Sequence, residues 1–476
     1  MNPMARPLSQ KEQLKMHKFS LQILAEAGIR FNSKPALEVF AKHGVDIRNE
    51  TVFFNEKIIE KALSSVPSSF PWHARNEQRS IPMGGDHHQM GPGYGAPFIL
   101  EENGTMRNAN MDDYDNFCKL THTSPYLDFL GSIMVQPSEL SATTGHLKML
   151  YSNFTLSDKP TMGSTVSPRA ARDSLNMAKI IFNTLDRPVV MGLINSLAPL
   201  QFAHEMTDAL MIYAEKGQPV IIHSGSMMGS TSPITGAGTQ VMQNAMNLAG
   251  ICLTQLLHPG TPVVYGAGGT PLDMKTGGYT TGSPELVQNI AVHAQMGRYY
   301  NIPTRAGGAF TDSLAPDYQA GAEASLILGT TATCGVNMSL HCCGILGAYI
   351  AMGYEKFLAD EELCGVVKKM VAPVDYSDEA FAIDLIKEIG ADGQYLSHMH
   401  TMKRCRTAFF QNKLFNKSNH DKWCKNGKKW AHEMASDAVT HRLESYVKPP
   451  MDSDIDNALK KYIEISSKNA SSNIKF

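Results

Sequence analysis

The sequence predicts an α/β protein whose main part is a (β/α)8 barrel. After about residue 125, short apolar runs alternate with longer segments that carry apolar residues at helical spacing, as at Phe202, Met206, Leu210 and Tyr213. Four of the apolar runs begin with proline, which fits the first residue of a strand. Such alternation is typical of a parallel sheet. No GxGxxG fingerprint with a downstream acid follows any run, which favours a closed barrel over a doubly wound sheet.

The number of strand candidates also fits a barrel. Seven apolar runs are predicted as strands, at 129–135, 161–164, 188–194, 219–223, 262–265, 303–305 and 336–340. A weaker eighth candidate, 394–397, completes the count. We therefore place the barrel at residues 126–402.

The segments on either side of the barrel are predicted to be different in kind. Residues 1–125 form an α+β extension packed on the barrel, with helices at 11–27 and 35–43 and strands at 51–54 and 70–74. A Glu-Glu-Asn-Gly turn joins 97–100 to 105–108 in a predicted hairpin. Residues 403–476 are predicted as a C-terminal helical segment.

Composition excludes several classes of protein. Of the 476 residues, 43% are hydrophobic and 18% charged, which indicates a globular protein with a large core. Forty-three Lys and Arg against 45 Asp and Glu give no electrostatic reason to expect nucleic acid or an anionic membrane as a partner. Eight cysteines without a CxxC pair predict a reducing, cytoplasmic compartment. The first residues lack the apolar core of a signal peptide.

Two long stretches, 218–272 and 324–354, contain no Asp, Glu, Lys or Arg. Stretches of this kind must be buried in the core, at a subunit interface or under an apolar ligand. They lead us to expect a homo-oligomer. The predicted barrel loops within them also predict an uncharged site.

Reactive groups of a barrel enzyme cluster at the carboxyl ends of the strands. The residues that follow the predicted strands there include Asn195, His223, Gly268, Gly269, Gly307, Gly308, His341, His398 and His400. The glycines indicate either close approach of the backbone to a ligand or tight packing at the barrel top. Aromatic residues flank these loops: Tyr94, Phe98, Tyr265, Phe310, Tyr349, Tyr354 and Phe357. Such rings either enclose a quaternary ammonium by cation–π attraction or belong to the core.

Several motifs resemble those of the trimethylamine methyltransferase family. They are Pro92-Gly-Tyr94-Gly-Ala-Pro97-Phe98, Ser157-Asp-Lys-Pro160, the segment from Asn337 to Gly344, Gly353-Tyr-Glu355-Lys-Phe357 and Gly393-Gln-Tyr-Leu-Ser-His398-Met-His400-Thr401. The resemblance runs from about Lys11 to the C-terminal helices. It implies a barrel enzyme that passes a methyl group from an amine to Co(I) of a corrinoid carried by a partner protein. No tightly bound metal is expected.

One departure from the family pattern bears on the substrate. Founding members carry pyrrolysine on the loop after the strand predicted here at 336–340, whereas this sequence has His341-Cys342-Cys343-Gly344. Without that electrophile, trimethylamine is not the expected substrate. The resemblance to the branch lacking pyrrolysine implies a quaternary amine, with glycine betaine as first choice. Proline betaine, carnitine and gamma-butyrobetaine are the alternatives.

The predicted site residues follow from these observations together. The substrate-binding candidates are Tyr94, Phe98, His223, Phe310, Asp312, His341, Tyr354, Glu355 and Phe357. The ammonium group is expected to be lined by Tyr94, Phe310, Tyr354 and Phe357. Negative charge beside it is expected from Glu355 or Asp312. The substrate carboxylate is expected to bind His223 and His341. The candidates for contact with the corrinoid are Asn195, Gly268, Gly269, Gly307, Gly308, His398 and His400. Methyl displacement needs alignment rather than proton transfer, so no acid or base is required.

Two rival functions remain open at this point. One is a zinc-dependent corrinoid methyltransferase with ligands among His341, Cys342 and Cys343, or His398 with His400. Adjacent cysteines are poor joint ligands compared with a spaced pair. The other is a binding or scaffold protein built on an inactive barrel.

Overall fold

The computed structural model describes residues 6–472, and eight parallel strands form its centre. They are Gln89–Met90 (β1), the short segment 128–130 (β2), Thr161–Gly163 (β3), Val190–Asn195 (β4), Val220–Ser224 (β5), Val263–Ala267 (β6), Thr304–Gly307 (β7) and Met338–Leu340 (β8). Seven of them form one sheet in the order β1-β8-β7-β6-β5-β4-β3. The strands β3 to β8 lie where the sequence predicts them.

The segment β2 closes this sheet into a barrel. The Asp128 N–H donates to the Met90 carbonyl on one side at 2.7 Å. On the other side the Leu130 N–H donates to the Pro160 carbonyl at 2.9 Å, and Leu130 bridges Thr161 in parallel. Every strand therefore has two neighbours, and the barrel prediction is confirmed.

The predicted eighth strand at 394–397 is wrong. Those residues form turns and are exposed, so they bury no face that a strand needs. The eighth strand is Gln89–Met90, which lies in the segment assigned to the N-terminal extension. Only two residues pair there, too few to give an alternating pattern. The last barrel helix ends at Val371, before the predicted barrel boundary at residue 402.

A helix follows each strand, as the fold requires. The helices are Met111–Thr123 (α1), Gly145–Leu156 (α2), Pro168–Phe182 (α3), His204–Glu215 (α4), Gly236–Leu257 (α5), Pro284–Tyr300 (α6), Tyr318–Thr333 (α7) and Tyr354–Val371 (α8). Local sequence sets their ends. Ser167 and Ser283 cap α3 and α6, each followed by proline, and left-handed Asn183 and Asn301 end the same two helices.

An N-terminal layer covers one side of the barrel. It contains the helices Gln10–Glu26, Lys34–Lys42 and Glu56–Ser65 and the strands Ile29–Phe31, Asp46–Arg48 and Thr51–Phe53, which pair with Gln201–Phe202. The layer packs on α5, where the Asn244 amide donates to Ser20 Oγ at 2.8 Å. The uncharged stretch around α5 is thus buried within the chain, and its burial does not require a subunit interface.

A hairpin fills the barrel at the amino-terminal end of its strands. The strands Ser69–Trp72 and Ile81–Gly84 place Phe70, Trp72 and Met83 against interior side chains such as Phe129 and Ile221. This end is therefore a packed apolar floor. The opposite end, at the carboxyl ends of the strands, is called the barrel mouth below.

The remaining elements lie outside the barrel. The predicted hairpin is confirmed, because Phe98–Leu100 pairs with Met106–Asn108, and Ile345–Leu346 and Ala351–Met352 extend this small sheet. Met227–Met228 pairs with Thr270–Pro271, and Glu77–Arg79 is a 3-10 turn. The last helices are Asp378–Phe381, Ile383–Ile389, Met399–Arg404, His420–Lys425, Ala431–Glu444 and Ser453–Ser472. None of the helices within residues 6–472 combines the length and apolar character that crossing a bilayer requires.

Candidate active site at the barrel mouth

The alternation of the barrel strands decides which side chains enter the interior. On β7, Thr304 points outward and packs against Gly297 of α6, so Arg305 points into the barrel. On β5, Ile221 belongs to the interior apolar cluster, and His223 lies two residues further on, nearer the mouth. A layer of polar side chains therefore lies directly above the apolar floor.

Arg305 is a charged group in the barrel that the sequence reasoning missed. Its side chain is buried (4% exposed), and its Nε has no hydrogen-bond partner. Within residues 6–472, no carboxylate forms an ion pair with it. Burial lowers the pKa of the guanidinium, and the nearby phenols of Tyr349, Tyr279 and Tyr94 act in the opposite direction. The prediction of an uncharged mouth is therefore wrong.

The signal for Arg305 was present in the sequence. It ends the predicted strand 303–305, where an arginine is unusual because both faces of a barrel strand are buried. A lone arginine at the carboxyl end of such a run indicates a functional residue.

His341 begins the loop after β8 and faces the same space. Its backbone has φ 68°, a left-handed conformation that non-glycine residues adopt at a cost and that is common at functional sites. The imidazole is buried, and its Nδ1 has no hydrogen-bond partner. Burial lowers its pKa well below the ordinary value, and the charge on Arg305 lowers it further. His341 is therefore neutral at physiological pH.

Three aromatic rings surround His341, and we call them the mouth aromatics: Tyr94, Phe310 and Tyr349. Their ring centres lie 6.0, 5.1 and 4.9 Å from that of His341, in the same order. The Tyr94 hydroxyl hydrogen-bonds Ser132 Oγ at 2.9 Å, which fixes that ring. Phe310 is packed against Gly307, where any Cβ would collide with the ring. Two of the four residues predicted to line the ammonium, Tyr94 and Phe310, are thus brought together.

Tyr279 lies at the outer edge of the mouth aromatics, on a loop held by Asp312. Its ring centre is 6.1 Å from that of Tyr349. The Asp312 carboxylate accepts hydrogen bonds from the Thr281 N–H at 2.6 Å and the Gly282 N–H at 3.0 Å. Asp312 was predicted to add charge beside the ammonium. The structure shows its oxygens holding this loop beside Tyr279 and Tyr349, and its charge beside an ammonium group stays a prediction.

His223 and Asn195 form a second pair at the mouth. His223 Nδ1 lies 2.9 Å from Asn195 Oδ1, so Nδ1 carries the proton and donates. Gly268 makes room for His223, since a Cβ there would collide with the imidazole. Gly269 has φ +106° and lies against the amides of Gln243 and Asn289. Asn195, Gly268 and Gly269 were predicted to contact the corrinoid, and their observed contacts fix His223 and the β6 loop.

Gly308 shows why the glycines after β7 are needed. A Cβ at Gly308 would stand 2.6 Å from the backbone nitrogen of Cys342. The loops after β7 and β8 therefore touch through their backbones. Tight packing at the barrel top accounts for Gly308, and room for Phe310 accounts for Gly307.

Four predicted substrate residues lie away from the mouth. Tyr354 stacks on Phe117 of α1 at 4.7 Å, and Phe357 is fully buried 5.5 Å from the same ring. Glu355 lies near Glu101 and Glu102, and burial raises the pKa of its carboxyl. Phe98 packs in the small sheet outside the barrel. Phe357 packs between Phe117 and the backbone of Gly344, on the outer side of the loop after β8.

His398 and His400, predicted to contact the corrinoid, are also not brought to the mouth. They lie in the exposed C-terminal region, where His398 Nδ1 accepts from the His400 N–H at 3.1 Å and faces Glu388. Cys343, in the loop after β8, and Cys364, on α8, have their sulfurs 3.9 Å apart. Within the described part of the chain, no three His, Cys, Asp or Glu side chains converge as metal ligands do.

The mouth therefore combines rings, two histidines and one guanidinium, without an acid–base pair of carboxylates. A barrel with its polar groups at this end defines the protein as a (β/α)8-barrel enzyme. Residues 1–471 match the family described as Trimethylamine methyltransferase (MTTB). The chain belongs to the trimethylamine methyltransferase family, as the sequence motifs indicate.

Known members show how near the relationship is. A protein of Desulfitobacterium hafniense named glycine betaine methyltransferase is 40% identical over 96% of both chains. A proline betaine:corrinoid methyltransferase of Eubacterium limosum is 35% identical over 84% of this chain and 85% of its own. The crystal structure of the Methanosarcina barkeri monomethylamine methyltransferase covers 94% of this chain and 89% of its own with a TM-score of 0.55. At 12% identity that likeness shows the fold alone.

Proposed function

We propose that this protein transfers a methyl group from a small quaternary amine to Co(I) of a corrinoid carried by a partner protein, releasing the tertiary amine. Glycine betaine is the first choice of substrate, and proline betaine and carnitine are the alternatives. The observation that carries the proposal is the set of mouth aromatics at the carboxyl ends of the strands. The names of the two betaine methyltransferases support the same substrate class.

The chemistry of the mouth suits this reaction. A quaternary nitrogen is already positive, so it leaves as a neutral amine and needs no proton. The mouth aromatics attract an N-methylated cation through their ring faces. His341 is neutral because its pKa is lowered well below the ordinary value, so it is a poor proton donor. What remains for the protein is to hold the substrate with one methyl group pointing outward.

The partner must cover the mouth, since its cobalt has to reach that methyl group. Exposed apolar side chains surround the mouth, one on each of five successive loops after β4 to β8: Leu197, Ile234, Met274, Leu314 and Ile350. We call them the apolar rim. Apolar groups collected around a site are typical of a protein-binding surface. We assign the apolar rim to the corrinoid protein.

The compartment and assembly belong to the proposal as well. We place the protein in the cytoplasm, because its cysteines within residues 6–472 are all free and free thiols suit a reducing compartment. A homo-oligomer stays a prediction of the sequence.

One spectroscopic assay tests the proposed function. Purified protein is mixed with cobalamin reduced to Co(I) and with glycine betaine, proline betaine, carnitine or trimethylamine in turn. We expect Co(I) absorbance to be replaced by that of methyl-Co(III) with at least one betaine, and a stoichiometric tertiary amine to appear. An enzyme that leaves Co(I) unchanged with every betaine, under conditions where the unfolding profile shows it folded, would contradict the proposal.

A further inference from the structure

Arg305 poses a problem for a site that binds a cation. It is a full positive charge beneath the rings that are proposed to attract the ammonium group. Arginine keeps its proton in proteins, so the charge is not lost on burial. A buried charge without a counterion is costly, and its retention calls for a specific use.

Two buried nitrogen atoms in the mouth lack partners, and they lie on adjacent strands or loops. Arg305 is on β7, and His341 follows β8, its neighbour in the sheet. Arg305 Nε and His341 Nδ1 are both buried without a hydrogen bond. The two side chains are near enough for the charge on Arg305 to lower the pKa of His341. Unpaired buried polar groups are rare, and two together point to a ligand that pairs with both.

The charged and titratable groups around Arg305 do not supply that partner. The groups nearest to it are the phenols of Tyr349, Tyr279 and Tyr94 and the Cys342 thiol, all of them neutral. Asp312 is close to Tyr279 and Tyr349, yet its oxygens accept from Thr281 and Gly282. The missing partner is therefore an anion from outside the chain.

We propose that Arg305 binds the carboxylate of a zwitterionic substrate, with the neutral His341 imidazole donating a second hydrogen bond from Nδ1. The inference rests on the proposed function and names the residue that binds the carboxylate shared by the three proposed substrates. Guanidinium and carboxylate match as a planar, two-hydrogen-bond pair. The same positive charge repels a cation that lacks a carboxylate, such as choline. Arg305 therefore favours substrates that carry a carboxylate over those that do not.

The depth of the residues also orients the substrate. Arg305 lies within β7, whereas Phe310 and His341 lie on the loops above the strands. A carboxylate held at Arg305 points toward the barrel floor. The quaternary nitrogen then stands among the mouth aromatics with its methyl groups toward the apolar rim, where the methyl acceptor arrives.

Calorimetric titration of the protein alone tests the inference without any corrinoid. Wild-type protein is titrated with glycine betaine, with its methyl ester and with choline. We expect glycine betaine to bind about 100-fold more tightly than the ester or choline, because the latter leave a buried charge unpaired. Equal affinities for the three ligands would overturn the inference whatever the variants do.

Substitutions of Arg305 provide a second test of the carboxylate site. Arg305→Met should lower the affinity for glycine betaine about 100-fold and leave that for choline unchanged or higher. Arg305→Lys keeps the charge but loses the planar pair of N–H donors. Its affinity for glycine betaine should therefore lie between those of Arg305→Met and wild type. Arg75→Met is the matched control: Arg75 also has a buried, unpaired Nε, but it donates to Pro450 and Ser157 outside the mouth. Arg75→Met should bind like wild type.

The outcomes separate the inference from the function on which it rests. Wild-type protein that binds glycine betaine selectively but never methylates Co(I) would overturn the proposed function and support the carboxylate site. An Arg305→Met protein that is folded and binds glycine betaine as wild type does would overturn the carboxylate site and leave the function standing.

Discussion

Lys356 and Asp360 form a buried ion pair one turn apart on α8. The pair joins the loop that carries Phe310 to the loop that carries His341. Lys356 Nζ also donates to the Ala309 carbonyl, next to Phe310, at 3.4 Å. Asp360 accepts from the Gly344 N–H, at the end of the His341 loop, at 2.9 Å. The pair thus ties the backbones of the Phe310 loop and the His341 loop to α8.

Removing one member of this pair should loosen both loops. Asp360→Asn leaves the buried Lys356 without its counterion, and such changes cost about 3–5 kcal/mol of the free energy of unfolding. Urea unfolding followed by circular dichroism measures the loss. Glu464→Gln breaks an exposed pair with Lys468 at the same spacing and should leave the unfolding curve unchanged. Equal curves for Asp360→Asn and wild type would show that the buried pair does not support the fold.

Phe310 and Phe357 are expected to separate substrate binding from stability. Phe310→Ala removes a ring of the mouth and should raise KM for glycine betaine about tenfold through lost cation–π attraction. Phe357→Ala creates a cavity beside Phe117 and should cost about 3–5 kcal/mol of stability, with KM unchanged in the folded fraction. The reverse pattern, with KM raised only in Phe357→Ala, would support the ammonium site predicted from sequence and contradict the one proposed at the mouth aromatics.

Asp312→Asn should free the loop that carries Tyr279. An amide oxygen is a weaker acceptor than a carboxylate, and only one of the two oxygens remains. Hydrogen exchange at the Thr281 and Gly282 amides should become faster, and KM should rise. Glu285→Gln, an exposed position at the start of the next helix, serves as control. Unchanged exchange at both amides would contradict the holding role of Asp312.

Buried neutral histidines predict a loss of stability in mild acid. Burial lowers the pKa of His88 and of His293 to about 4, against 6.5 for the unfolded chain. Between these values the unfolded chain binds the extra protons. The free energy of unfolding should therefore fall as pH falls from 6.5 toward 4, by up to about 1.4 kcal/mol per pH unit for each histidine.

Unfolding in urea at pH 7, 6 and 5 measures this slope. His88→Gln should reduce it by the contribution of one proton. Stability that stays constant or increases over this range would mean that these histidines are protonated in the folded protein.

The apolar rim should matter only when the corrinoid arrives on a protein. Leu314→Glu places a charge on the rim and should slow methyl transfer to the corrinoid protein at least about tenfold while transfer to free cobalamin stays at the wild-type rate. Leu326→Glu alters an exposed leucine on α7, away from the loops after the strands, and should leave both rates unchanged. Equal slowing of transfer to both acceptors would argue against a docking role.

The fold was largely predictable, because barrel strands that are buried on both faces appear in the sequence as short apolar runs. The exception, Gln89–Met90, pairs over two residues and takes its place in the barrel from tertiary contacts with β8 and β2. Of the hairpin that fills the barrel floor, the sequence predicted only the strand at 70–74. The sequence of one strand does not show which cavity its side chains will fill.

The site was predictable in location and only partly in composition. Tyr94, Phe310, His223 and His341 meet at the mouth as expected, because each follows or faces the end of a strand. Tyr354 and Phe357 were misassigned, since nearness along the chain does not show which way α8 turns its side chains. Arg305 was missed for a related reason: whether the last residue of a strand points inward depends on a register that one residue reverses.

The most direct test of the account offers the enzyme glycine betaine and trimethylamine together. Equal amounts of both are incubated with the protein and reduced cobalamin, and the amines are quantified by mass spectrometry. We predict that dimethylglycine forms in a one-to-one ratio with methyl-Co(III) while trimethylamine is not consumed. Consumption of trimethylamine with glycine betaine left intact would contradict it.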